Sequence, residues 1–334
     1  MGSTNFFISV RNVKKLKNGS QEFGAEPGAT RYLEIPDGEL PHPENHKLTK
    51  TNWLKSVVGR AEVGRYEKEH PRAGFAYGDV LIFVHGYNTS MAEAMKRHDL
   101  LQKRLGEQGY KGAIVSFDWP SATQTLNYLE DRSDAKSTAS KLVKDGIMLL
   151  AKAQRDEVAN KCDIDVHLLG HSTGAYVIRE AFYESGHNRF ISRINWQVSQ
   201  VAFIGADIAK KSLSQNDAKS QCLFKHSIRI TNYQNPYDSA LKMSNIKRLG
   251  TAPRVGRVGI PSDAPENIVN VDVGPHWSGL NKDDSNASGT WSHSWHFDDP
   301  LFAKDLYLTL KGDIDRCSIP TRIEVEGKLV LKKS

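Results

Sequence analysis

From about residue 79 to residue 312, short β-branched or apolar runs alternate with longer segments whose apolar positions recur every three or four residues. Parallel strands need crossovers long enough to hold a helix, so this alternation predicts an α/β fold with a mostly parallel sheet covered by helices. Six runs are near-continuously hydrophobic, as strands buried on both faces require: DVLIFVHG (79–86), GAIVSFDW (112–119), DIDVHLLGH (163–171), QVAFIGAD (200–207), SIRITNY (227–233) and NIVNVDV (267–273). FFISVRNV (6–13) and TRYLEI (30–35) read as an added antiparallel edge, giving a sheet of about eight strands with helices on both faces. Helical spacing covers 90–107, 133–156, 173–184, 238–246 and 300–311. Within 133–156, Ala135, Ala139, Leu142, Val143, Ile147 and Leu150 form one stripe for burial, with Lys and Asp opposite.

The 334 residues, 39% of them hydrophobic, suffice for one elaborated domain spanning 1–334. Its core is expected at 79–312, with residues 1–75 adding edge strands and a loop. Residues 36–50, rich in Pro and charge, and 275–292, rich in Gly, Asn, Asp and Ser around tryptophans, read as loops. No internal repeat is visible, which excludes a solenoid.

The formal net charge of +6 raises the question of a polyanion partner, but only Lys14, Lys15 and Lys17 cluster, and the other basic residues are interspersed with acidic ones. A solvated surface is expected, with no nucleic-acid partner. Cys162, Cys222 and Cys317 cannot all pair and lack Cys-x-x-Cys spacing, so a reducing, cytoplasmic setting is expected, without a structural zinc site. The first residues lack the pattern of a signal peptide, and Phe6 occupies the place of the Ser or Thr of a myristoylation motif. No apolar stretch approaches the roughly 20 residues of a membrane span.

The chemistry centres on Gly170-His171-Ser172-Thr173-Gly174. Gly-x-Ser-x-Gly alone is a weak pattern, but here a buried strand leads into the serine and GAYVIREAFYES leads out as a helix. Such a turn strains the serine backbone and crowds both flanks, which explains the two glycines. Ser172 is therefore the expected nucleophile. The backbone N–H of Thr173 and a second N–H at Tyr87, in the loop His85-Gly86-Tyr87-Asn88, are the expected oxyanion donors. Asp238, just beyond SIRITNY, fits the acid of a Ser, Asp, His order, with a helix cap as its other reading and Asp207 as its rival. For the base we take His293, in SHSWHFDDP; His296 sits where a residue packs or caps. Metal binding by His276, His293, His296 and Asp298 would need more regular spacing, so neither metal nor cofactor is expected. His171 and His167 flank the elbow, where histidines commonly pack.

Taken in order, FVHGYNTS (83–90), SFDWPS (116–121), YLEDRSDAKSTAS (128–140), LLGHSTGA (168–175), NPYDSAL (235–241), PRVGRVG (253–259) and SHSWHF (292–297) resemble an uncharacterised bacterial branch of the esterase/lipase-like α/β hydrolases. The resemblance covers about residues 79–312. It implies the α/β-hydrolase fold, with Ser172, Asp238 and His293 at the nucleophile, acid and base positions, and implies ester hydrolysis only loosely. Two departures border the expected pocket: Ala206-Asp207 stands where Pro-Asp is usual, and Asp118 precedes the Trp-Pro-Ser turn.

Trp119, Trp277, Trp291 and Trp295 fall in loops after strands. Trp119, Trp291, Trp295 and His171 are the candidate substrate contacts, suited to an aromatic, medium aliphatic or sugar-like ester or acyl group. Other acyl transfer on the same groups (amidase, thioesterase, transacylase) and a binding protein on a hydrolase scaffold are the competing functions.

Overall fold

The computed structural model describes residues 4–121, 138–149, 162–189, 191–193, 196–247, 252–281 and 290–332. Residues 128–137 of the YLEDRSDAKSTAS run, both ends of the expected 133–156 helix with Ala135 and Leu150, and residues 282–289 of the expected loop lie outside this set.

The six expected central strands form β5 (Ala76–Val84), β6 (Ala113–Asp118), β7 (Cys162–His171), β8 (Val198–Ile204), β9 (Ser227–Gln234) and β10 (Ile268–Asp272). Each pairs in parallel with its neighbour in the order β10-β9-β8-β7-β5-β6. Alternation along β5 sends Val80, Ile82 and Val84 into one apolar layer and Leu81 and Phe83 into the other, so both faces need helices. Helix α1 (Lys50–Ala61), the helical segment 138–149 and α3 (Thr173–His187) cover the first face; α2 (Met91–Glu107) and α5 (Pro300–Lys311) cover the second. A further helix, α4 (Ser239–Lys247), follows β9. Within 138–149, Ala139, Leu142, Val143 and Ile147 of the expected stripe are buried, and the turn Leu142–Ile147 is π-helical.

Among the described residues the sheet has twelve strands, which corrects the expected eight. Strand β1 (Thr4–Lys15) continues the parallel array, Phe6 pairing with Val115 of β6, and its other side pairs antiparallel with β2 (Gln21–Pro36). It is thus no edge strand. The two-residue β3 (Lys47–Leu48) borders β2, and β4 (Glu62–Arg65) pairs with the start of β5. At the opposite end the hairpin of β11 (Arg322–Val325) and β12 (Lys328–Leu331) adds β12 in parallel to β10, so the sheet extends beyond residue 312. Strands β3, β4, β11 and β12 have two or four residues each, too few to stand out as apolar runs. Helix α1 was equally hidden. It buries only Trp53, Val57 and Ala61, one residue per turn, and Thr49 caps it by accepting the N–H of Asn52 at 3.3 Å. Among the described residues no helix is long and apolar enough to cross a membrane.

Candidate active site

Ser172 ends β7 and caps α3 with φ 56° and ψ −124°, a left-handed backbone that costs a non-glycine residue about 1–3 kcal/mol. The surroundings hold it there: its N–H donates to Ile204 O at 3.0 Å, and its carbonyl accepts the N–H of Asp207 at 3.1 Å. The crowding inferred from the two glycines is present. A Cβ on Gly174 would lie 2.1 Å from Val84 O, and one on Gly170 2.7 Å from the Cα of Ala175.

The loop after β5 passes directly over the serine. A Cβ on Gly86 would come within 2.6 Å of Ser172 Cβ and 3.2 Å of Oγ, so Gly86 lies against the serine side chain. Thr173 is the first residue of α3, and its N–H therefore has no acceptor within the helix.

Asp238 and His293 come together although 55 residues apart: His293 Nδ1–H donates to Asp238 Oδ2 at 2.6 Å, with Asp238 fully buried and His293 nearly so. Nδ1 carries the proton in this bond, which leaves Nε2 with a lone pair. Asp238 also fulfils its capping role, since Oδ1 accepts the N–H of Leu241 at 2.9 Å. Asn235 fastens the acid loop to the histidine loop by donating Nδ2–H to Ser292 O at 3.0 Å, and Ser239 N–H donates to Ser292 Oγ at 3.1 Å. Gly205, next to the Ile204 carbonyl that holds Ser172, abuts both partners. A Cβ there would lie 2.9 Å from His293 Cε1 and Nδ1 and 3.4 Å from Asp238 Oδ2. Asp207 goes elsewhere, pairing with Arg254 Nε at 2.9 Å.

His171 lies behind the base, fully buried, donating Nε2–H to His293 O at 2.9 Å. That places it as a support for His293 and not as a substrate contact. Trp119 is corrected likewise. Trp119 is fully buried, stacked on His85 with Nε1–H donating to His85 O at 2.8 Å, because the turn folds it back beneath the sheet's end. Trp295 is buried, packed against His276 and Phe302, and borders the same cavity as Trp291. Trp291 is partly buried beside a cavity of about 260 Å³ that also meets Leu280, Arg104 and Asp298. Trp277 stacks on exposed Tyr237, next to Asp238. Among the described residues no cluster of His, Cys, Asp and Glu could hold a metal ion; His276 instead meets Asp299 Oδ2 at 3.0 Å.

Three contributors escaped the sequence reading. Asn235 looked like a turn residue. Arg11 and Ser9 looked like ordinary strand residues, yet both bond to Asp118 at the end of β6. The available signal was a lone arginine inside the apolar run FFISVRNV, since a charge in a buried strand needs a buried partner.

Burial holds four rings neutral: His85, His171 and His296 are pushed below the usual histidine range, and His98 down to about 4. As pH falls below about 6.5 the unfolded chain takes up protons that these rings refuse, so stability is lost. Each ring contributes up to about 1.4 kcal/mol per pH unit. The midpoint of thermal unfolding should therefore drop steeply from pH 7 to pH 5; a flat profile would contradict the assignment.

The family model "Alpha/beta hydrolase of unknown function (DUF900)" matches residues 74–287, more than half of the chain. That segment includes Tyr87, Ser172 and Asp238 and stops short of His293. No curated protein matches. Among solved structures the chain is similar to a candidate cell surface hydrolase from Lactobacillus plantarum (13% identity, covering 70% of this chain and 90% of that one, TM-score 0.34). It is also similar to a lipase-esterase related protein from Clostridium acetobutylicum (12% identity, 71% and 94% covered, TM-score 0.33). Both likenesses are too distant to speak to activity.

Proposed function

Because the chain belongs to this family of α/β hydrolases of unknown function, we propose that it is a serine hydrolase that cleaves a small carboxylic ester through an acyl-enzyme at Ser172. The observation that carries this reading is the buried 2.6 Å bond from His293 to Asp238, set against the strained turn that presents Ser172. His293 Nε2 takes the hydroxyl proton as Ser172 attacks the acyl carbonyl, and Asp238 stabilises the imidazolium that forms. The developing oxyanion is received by the N–H groups of Thr173 and Tyr87. His293 then returns the proton to the leaving alcohol and activates the water that frees the acid. Asp238 does two things at once, since the oxygen that caps α4 fixes the direction of the one that faces His293.

The substrate is a small molecule reached from water, and the protein acts in the cytoplasm, a setting in keeping with the unpaired thiols of Cys222 and Cys317. A fluorophosphonate probe is expected to label Ser172 in the folded protein, as read by peptide mass spectrometry. Absence of labelling would favour a binding protein on a hydrolase scaffold.

A further inference from the structure

Arg11 lies in the N-terminal hairpin, outside the segment that matches the family, and is only 4% exposed. Its Nε–H is 2.9 Å from both carboxylate oxygens of Asp118, and its Nη2–H donates to Thr89 O at 2.8 Å. Asp118 is fully buried, also accepts the Ser9 hydroxyl at 2.8 Å, and lies 3.1 Å from His85 Nε2. Burial alone would push this carboxyl up; the Arg11 guanidinium, the His85 ring and the Ser9 hydroxyl outweigh it and hold it ionised.

One guanidinium thus reaches both ends of the loop 85–90: its start through Asp118 and His85, and its end through the Thr89 carbonyl. Three further bonds tie this loop to its surroundings and to itself. His85 O accepts from Trp119, Gly86 O from the Thr89 hydroxyl at 3.0 Å, and the Thr89 N–H donates to Ser121 Oγ at 3.1 Å. Arg97 Nη1–H holds the Thr89 hydroxyl from the α2 side at 2.9 Å.

We propose that Arg11 is a positioning residue that fixes the loop 85–90 over Ser172, so that the N-terminal hairpin is part of the reaction geometry. The inference rests on the serine-hydrolase reading, in which this loop supplies the Tyr87 oxyanion donor. A buried ion pair seldom adds net stability over an apolar replacement, and here the guanidinium's further donor is spent on a carbonyl of that loop. Donors in an oxyanion site act only when placed to within a fraction of an ångström, and a shift of about 1 Å costs on the order of 10²-fold in rate.

The test is steady-state hydrolysis of p-nitrophenyl acetate by Arg11→Lys, Arg11→Gln and the double variant Arg11→Met/Asp118→Leu. The double variant removes both buried charges and so keeps the fold if Arg11→Gln does not. The expected result is a fall in kcat of about 10²-fold for Arg11→Gln and the double variant and about 10-fold for Arg11→Lys, which keeps the charge but concentrates its donors on a single nitrogen. KM should stay within about threefold, and the pH dependence of the rate should not move. A folded Arg11→Gln or double variant with kcat within about threefold of the parent overturns the proposal, as does a loss carried by KM alone. If the parent itself is not labelled by fluorophosphonate at Ser172, the hydrolase reading falls and takes this inference with it. A labelled parent with fully active Arg11 variants removes this inference alone.

Discussion

Alanine at Ser172 is expected to lower kcat for p-nitrophenyl acetate by about 10⁴–10⁶-fold while leaving the thermal midpoint nearly unchanged. The rate falls because no other group at the elbow can form the acyl-enzyme, and what remains is the contribution of binding and the oxyanion donors. Stability is spared because alanine carries the same left-handed strain as serine, and the bonds that fix position 172 run through its backbone N–H and C=O. Kinetics and a melting curve on the same preparation check both halves. A Ser172→Ala protein as fast as the parent would remove the serine-hydrolase reading.

The second large effect separates two carboxylates that the sequence left in competition. Asp238→Asn is expected to reduce kcat by about 10⁴-fold, since an amide no longer enforces the His293 tautomer with its lone pair on Nε2 or stabilises the imidazolium. Asp207→Asn should leave kcat within about tenfold of the parent but cost roughly 3–5 kcal/mol of stability, because it removes a carboxylate paired with the buried Arg254 guanidinium. One substitution should appear in the rate and the other in the melting curve. The reverse pattern would reassign the acid.

The candidate site was legible wherever chemistry fixes chain order or local conformation. A strand, a glycine-flanked serine and a helix specify an elbow, and an aspartate after one later strand with a histidine after another specify where to look for partners. Asp238 and His293 are hydrogen-bonded to each other. Trp119 misled because position after a strand says nothing about whether the chain then turns outward or back under the sheet; it follows Asp118 inward, drawn by the His85 carbonyl. Periodicity located helices that bury a broad stripe and missed α1, whose burial is one residue wide. β11 and β12 were passed over because four-residue strands carry too few side chains to show an alternation, although Arg322 of β11 is fully enclosed with Asp305. Arg11 was beyond pattern reading for a different reason. Its partner Asp118 is 107 residues away, and only the parallel register of β1 against β6 brings them together.

That register also says something about how the molecule is made. Phe6, Phe7, Ile8 and Ser9 lie alongside Val115, Ser116, Phe117 and Asp118, so β1 must wait for more than a hundred further residues to be synthesised before that side of it is covered. Its apolar residues find β2 early, by a short hairpin, and their second partner late, across a long loop whose closure is slow. During that interval an unpaired strand edge is open to other chains, so crowding and temperature during synthesis should govern the yield of folded protein more than the modest length of the hairpin suggests.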